Sequence, residues 1–137
     1  MPEKRRLRIQ GTIEIVDDEN FPESDEYCPD QLEPSSTPLT QDNIQQVYRD
    51  SKVCGKEVRI EISLNGLLLE NGDIRVTGDI KLYEGVSDSS NDLDGTEDVN
   101  FLVPANGTPT AYPARVRNRD EGGDYAKITF NCTNYLD

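Results

Sequence analysis

The sequence contains no histidine among its 137 residues. This absence removes the commonest general base, the commonest zinc ligand and every serine or cysteine nucleophile that an imidazole activates. Catalysis by carboxylates alone, as in glycosidases, would still be possible, but the sequence contains no motif for it. We therefore expect a protein that is not an enzyme.

Cysteines are few, and long hydrophobic runs are absent. Cys28, Cys54 and Cys132 are widely spaced and form no C-x-x-C pair. The N-terminal segment MPEKRRLRIQ lacks the apolar stretch of a signal peptide, and no run is long enough to span a membrane as a helix. These features favour reduced thiols in the cytoplasm, with a Cys28–Cys54 disulfide as the alternative if a leader was removed. Cys132 continues an inward-facing series, which predicts a buried apolar residue.

Basic residues are also scarce. Lysine and arginine total 14 against 27 aspartates and glutamates, which gives a net charge of −13. The phosphates of nucleic acids and of anionic membranes repel such a chain, so we expect neither as a partner. Three explanations of the acidity remain: solubility, a basic partner protein, or bound cations.

What the sequence does contain is strict alternation of apolar and polar residues, the period of half-buried β-strands. It occurs over residues 5–16, 56–64, 74–82, 99–103, 114–116 and 126–132. Asn-Gly at 65–66 and at 71–72 predicts two tight turns with a short edge strand between them. The segment DNIQQVYRD at 42–50 fits either a short helix or a strand.

The length is that of one domain, so residues 1–137 are treated as a single unit. The strand pattern predicts an all-β fold, an antiparallel β-sandwich of six to eight strands with at most one short helix; a flattened barrel is the alternative. Residues 17–40 are rich in acidic residues and proline, which predicts a long loop or a partly disordered insert. The pattern R-[IV]-x-G-x-I-x-[IL] occurs at 8–15 and 75–82, and its inward glycine indicates a bulge, a bend or a close neighbour.

The stretch LYEGVSDSSNDLDGTEDVNF at 82–101 suggests a metal site. Ser90, Asp92 and Asp94 alternate and precede Gly95, as oxygen ligands and the turn glycine do in calcium loops of the D-x-D-x-D-G type. The stretch is not an EF-hand, because the twelfth position holds Phe101 in place of glutamate. Asp, Asn, Ser and Gly are also ordinary turn residues, so a solvated loop is the alternative.

Strand order strengthens the calcium hypothesis. If consecutive strands run antiparallel, the loops at 85–98 and 118–124 emerge at the same end of the sandwich, whereas a Greek-key crossover would separate them. The acidic 17–30 segment can join them, although the extra edge strand between the two Asn-Gly turns would reverse its parity. A divalent cation would relieve the repulsion between their carboxylates. This plan is similar to that of C2 domains in architecture, without a C2 sequence motif. The predicted Ca²⁺ ligands are Asp88, Asp92, Asp94, Glu97, Asp98, Asp120 and Asp124.

Two further functions are compatible with the sequence. The first is an interaction module that binds a basic partner, as nuclease inhibitors and immunity proteins do, through a 17–33 segment with eight acidic residues. The second is a structural module of a larger assembly, with acidity serving solubility. The predicted partner-binding residues are Phe21, Glu23, Asp25, Glu26 and Tyr27.

Overall fold

A computed structural model describes residues 4–18, 26–55, 58–84, 92–119 and 123–137, and every element within these ranges is a β-strand. The strands are β1 (Lys4–Asp17), β2 (Glu26–Gln31), β3 (Ser35–Thr40), β4 (Gln45–Cys54), β5 (Val58–Leu68), β6 (Ile74–Glu84), β7 (Asp92–Val103), β8 (Thr110–Arg117) and β9 (Tyr125–Leu136). None of the described residues forms a helix that could cross a membrane.

The strands form two antiparallel sheets that pack face to face. Sheet A has the order β2-β1-β9-β8, and β3 pairs with the first half of β1 while β2 pairs with its second half. Sheet B has the order β4-β5-β6-β7. The sheets do not close into a barrel, so the predicted β-sandwich is confirmed and the flattened barrel is not.

The core lies between the two sheets and is built by the alternation seen in the sequence. In β1, Leu7, Ile9, Ile13 and Ile15 are at most 1% exposed, whereas the intervening side chains face outward. Full burial of one such side chain is worth about 1.5–3 kcal/mol relative to leaving it in water. Both sheets contribute equally regular inner faces, which fixes the register of each strand.

The repeated glycine marks a close approach between strands in both sheets. A Cβ atom at Gly11 would lie 1.9 Å from the carbonyl oxygen of Thr129, and one at Gly78 would lie 2.1 Å from that of Ser63. Gly11 belongs to sheet A and Gly78 to sheet B. The two copies of the pattern therefore solve the same packing problem, once in each sheet.

One alternative is decided and one turn expectation is wrong. Of the helix and the strand considered for 42–50, the strand is confirmed, because residues 45–54 form β4. Asn65 and Gly66 lie inside β5, where Gly66 pairs with Gln45 and Val76. A Cβ at Gly66 would lie 2.7 Å from Val47 Cγ1, so this glycine permits packing between strands; only the second Asn-Gly, at 71–72, forms a turn.

The acidic, proline-rich segment is more ordered than its composition predicts. Residues 26–31 and 35–40 form β2 and β3, and residues 19–25 lie outside the described ranges. Pro29 and Pro38 sit in these two strands, and Pro113 sits in β8. Proline lacks a backbone N–H and is tolerated in a sheet at its edges, which is where all three strands lie.

The preference for reduced cysteines is also wrong. Cys28 and Cys54 form a disulfide with a Cα–Cα distance of 5.7 Å, which links β2 of sheet A to β4 of sheet B. Because disulfides persist mainly in oxidising compartments, the cysteine argument for a cytoplasmic location no longer holds. Cys132 is free and buried as predicted, and burial raises the pKa of its thiol to about 12.

Candidate functional site

Three of the acidic segments meet at one end of the sandwich, as the strand order predicted. We call this the acidic end: the ends of β1, β6 and β8 together with the starts of β7 and β9. The backbone N–H of Arg119 donates to the Asp94 carbonyl at 2.7 Å, and Asp18 N–H donates to Asp124 Oδ1 at 2.8 Å. Asn118 Nδ2 donates to Glu84 Oε1 at 2.7 Å. The ends of β1, β6 and β8 are therefore held together with the starts of β7 and β9.

Asp124 has a structural role at this end. It is only 7% exposed, and its carboxylate accepts hydrogen bonds from Asp18 N–H and from Asn118 Nδ2 at 3.4 Å. Its carbonyl oxygen accepts from Asn118 N–H at 3.0 Å. The two bonds to the carboxylate use part of the acceptor capacity of a predicted calcium ligand, and together the three bonds tie the start of β9 to β1 and to Asn118.

The predicted calcium loop is largely a strand. Asp94 and Gly95 belong to β7, which begins at Asp92, and Asp94 is the extra residue of a β-bulge opposite Leu82 and Tyr83. A Cβ at Gly95 would lie 2.0 Å from the Arg117 carbonyl oxygen. This glycine therefore permits close contact between β7 and β8 and does not serve as the turn residue of a metal loop.

Glu97 and Asp98 are the two remaining predicted ligands whose side chains the structure describes, and they do not converge. Glu97 pairs with the core residue Ile80, whereas Asp98 pairs with Asp79 on the outer surface, so the two carboxylates face opposite sides of sheet B. Asp88, Asp120 and the side chain of Asp92 lie outside the described residues. Within the described part of the chain, no group of three or more acidic or cysteine side chains is arranged to hold a metal ion.

Glu97 lies beside three arginine side chains. A hollow of about 490 Å³ lies between β7 and β8, and Glu97 lines it with Arg115, Arg117, Asn118 and Arg119. We call it the arginine hollow. Three guanidinium groups beside the predicted rim would repel a calcium ion, so this flank of the acidic end is suited to an anion.

The arginines were visible in the sequence as RVRNR at 115–119, three arginines at alternate positions. Val116, between the first two, is 1% exposed and belongs to the core, so Arg115 and Arg117 face outward. The net charge of −13 indicates an acidic protein and gives no sign of this local excess of positive charge. Sequence reasoning missed the arginines for that reason.

The predicted partner-binding residues can be placed only in part. Phe21, Glu23 and Asp25 lie outside the described residues, while Glu26 and Tyr27 lie on the edge strand β2. Tyr27 is 58% exposed, and its hydroxyl donates to Glu14 Oε1 at 2.9 Å. That hydrogen bond to a carboxylate raises the pKa of Tyr27.

A second concave surface lies on the outer face of sheet B, with a volume of about 790 Å³. The Arg59 guanidinium stacks over the Tyr83 ring at 4.4 Å and bonds to Glu61 at 3.2 Å. The concave surface is lined by three basic and three acidic residues, which are Arg49, Arg59 and Lys81 and Asp50, Glu61 and Asp79. This groove therefore shows no preference for a ligand of either charge.

Two surfaces of opposite charge thus lie at the acidic end. One is the exposed acidic edge at β2, and the other is the arginine-rich flank at β8. No protein-family model matches this chain, and no curated protein matches its sequence significantly.

Proposed function

We propose that this protein is a non-enzymatic interaction module that binds a basic partner protein through the exposed edge strand β2. The observation that supports this most is Tyr27, a large side chain left 58% exposed on the outer face of sheet A. Tyrosine is enriched at protein interfaces because it offers an apolar ring and a hydroxyl with few rotatable bonds. The exposed carboxylates of Glu26 and Asp30 give the same strand a negative charge.

Strand β2 is held rigidly, which favours binding. The Cys28–Cys54 disulfide and the Asp30–Lys52 ion pair at 3.3 Å both join it to β4. The pKa of Asp30 is lowered, first by a hydrogen bond from the Gln31 backbone and then by Lys52. A surface that is ordered before binding loses less conformational entropy when the partner docks.

The test compares two tyrosine variants. Wild type, Tyr27→Ala and Tyr135→Ala are used as baits in an extract of the expressing cells, and the captured protein is then purified and titrated. Tyr135 is the control because it is another exposed tyrosine, at 38%, on the far end of the same face. We expect Tyr27→Ala to weaken binding by about tenfold or more, as for an interface anchor, while Tyr135→Ala leaves it unchanged.

The salt dependence of that titration tests the charge of the partner. Binding that weakens as sodium chloride rises indicates attraction between opposite charges. A captured protein that binds Tyr27→Ala as well as wild type, or that is itself acidic, would refute the proposal.

A second candidate is calcium binding at the acidic end. It is supported by the hydrogen bonds that hold the ends of β1, β6 and β8 and the starts of β7 and β9 together at that end, where acidic residues are concentrated. Calcium bound only to the folded state raises the melting temperature by mass action, and Asp94→Asn should remove that shift. If magnesium, or sodium chloride at equal ionic strength, has the same effect as calcium, the shift reflects charge screening and this candidate fails.

A further inference from the structure

Four exposed cations form a strip on one side of sheet A. Arg115 and Arg117 are alternate residues of β8, Arg119 follows two residues later, and Lys127 lies opposite Arg115 on β9. We call these four residues the arginine strip. They are four of the 14 basic residues in the chain.

The strip is not neutralised by the part of the chain that the structure describes. The ion pairs there involve Arg6, Lys52 and Arg59, and none includes a member of the strip. Glu97 lines the same hollow but forms no ion pair with these arginines. Among the described residues, these four adjacent cations thus have no ion-pair partner and can face an external anion.

The net charge of the whole protein does not decide what binds at this surface. Charges are screened beyond a Debye length of about 8 Å at physiological ionic strength. An anion in contact with the strip therefore interacts mainly with the strip, and the carboxylates on distant faces contribute little.

Tyr125 orders part of the strip. The Arg115 guanidinium lies 4.4 Å from the centre of its ring, and Lys127 Nζ lies at 5.9 Å. A guanidinium stacked on a ring keeps its N–H edge available for hydrogen bonds in the plane of the group. That edge matches a carboxylate, which accepts two parallel hydrogen bonds from arginine.

We propose that the arginine strip binds an extended acidic segment of a partner protein, with aspartate or glutamate at alternate positions. Same-face residues of a strand are about 6.7 Å apart, so the carboxylates of an extended peptide repeat at the spacing of Arg115 and Arg117. Successive carboxylates then meet successive arginines without distortion of either chain.

The neighbouring surface accommodates the side chains of such a peptide. Across the sheet from Arg117, the paired positions are Tyr125 and Val16, a short row of partly exposed side chains. Apolar residues that flank the acidic segment can pack on this row. The inference goes beyond the proposed function, because the strip lies about 14 Å from β2, three strand spacings away, and takes a ligand of opposite charge.

The probe is a fluorescent peptide in which aspartate and threonine alternate over ten residues, titrated by anisotropy. A second peptide has the same composition in two blocks. The strip variant Arg115→Gln/Arg117→Gln is compared with the control Arg8→Gln/Arg49→Gln, which removes the same charge from exposed residues elsewhere. All four positions are exposed strand residues, and unchanged melting curves would verify that both variants fold.

We expect the alternating peptide to bind wild type and the control variant within about twofold of each other, and the strip variant about tenfold more weakly. The block peptide should bind more weakly than the alternating one, because its carboxylates do not match the strand repeat.

Three results would overturn the inference. They are no binding of the alternating peptide, an equal loss in the control variant, and tighter strip-dependent binding of a sulfated oligosaccharide than of the peptide. None of them depends on Tyr27, so a failure here is distinguishable from a failure of the proposed function.

Discussion

Replacement of Asn134 by alanine should destabilise this protein more than most single substitutions. Asn134 is fully buried near the end of β9, where its Oδ1 accepts a hydrogen bond from Arg5 Nε. Its Nδ2 donates to the carbonyl oxygens of Gly72 at 2.8 Å and Val103 at 3.0 Å. One side chain of sheet A therefore holds the β5–β6 turn and the end of β7 in sheet B, at the end of the sandwich opposite the acidic end.

The magnitude follows from the three hydrogen bonds. A neutral bond contributes about 0.5–1.5 kcal/mol net and a bond to a charged group about 1.5–3 kcal/mol. Alanine would also leave two carbonyls and a guanidinium N–H buried, so we expect a loss of about 3–5 kcal/mol. For a domain of this size that corresponds to a fall in melting temperature of about 10–20 °C.

The assay is thermal and urea unfolding of Asn134→Ala under oxidising conditions, followed by circular dichroism. Asn131→Ala is the matched control, because Asn131 lies three residues earlier on β9, half-buried on the outer face. We expect the control to change stability by no more than about 0.5 kcal/mol. A loss of less than about 1 kcal/mol for Asn134→Ala would refute the claim that this network joins the sheets.

Three other predictions concern the framework. Reduction of the Cys28–Cys54 disulfide, or Cys28→Ser with Cys54→Ser, should cost about 2–4 kcal/mol in urea unfolding; an unchanged midpoint would contradict this. Gly78→Ala should lower the free energy of unfolding by more than about 2 kcal/mol, because the new Cβ would collide with a backbone oxygen. Gly107→Ala is the control: its Cβ would meet nothing within 4 Å, so we expect a loss of about 1 kcal/mol, caused only by its φ of 76°. Stability should fall as pH rises from about 9 towards 12, because the unfolded state loses the Cys132 proton while burial keeps it in the folded state. Unfolding free energies measured across that range, with Cys132→Ala as the control, check the sign.

The two proposed interactions can be distinguished by the variants that weaken them. Tyr27→Ala should affect only the partner at β2, and the double arginine variant should affect only the acidic peptide at β8. A partner that required both surfaces would have to span sheet A, a distance of about 14 Å. Competition between the acidic peptide and the protein captured through Tyr27 would show whether the two surfaces serve one partner.

Much of the fold follows from local sequence. The alternation in β1, β5, β6 and β9 identifies strands and inner faces correctly, because a side chain's orientation in a strand depends only on its position. The glycine of the repeated pattern was likewise recognised, since an inward residue without a side chain signals a close neighbour. The meeting of the ends of β6 and β8 at one end of the sandwich followed from a simple antiparallel strand order, whereas the position of the 17–30 segment did not, because residues 67–68 belong to β5 and form no extra strand.

Other features depended on which distant residues pair, and the local sequence pattern does not contain that information. Prolines and carboxylates concealed β2 and β3, and their edge positions explain why those residues are tolerated there. Cys28 met Cys54 because β2 and β4 are adjacent edges of different sheets. Pairing with β6 turned Asp94 from a loop residue into a bulge, and packing of β7 on β8 placed Glu97 among three arginines. The sequence by itself determined which residues face inward; only the tertiary structure decided which charges became neighbours, because that depends on contacts between strands far apart in the chain.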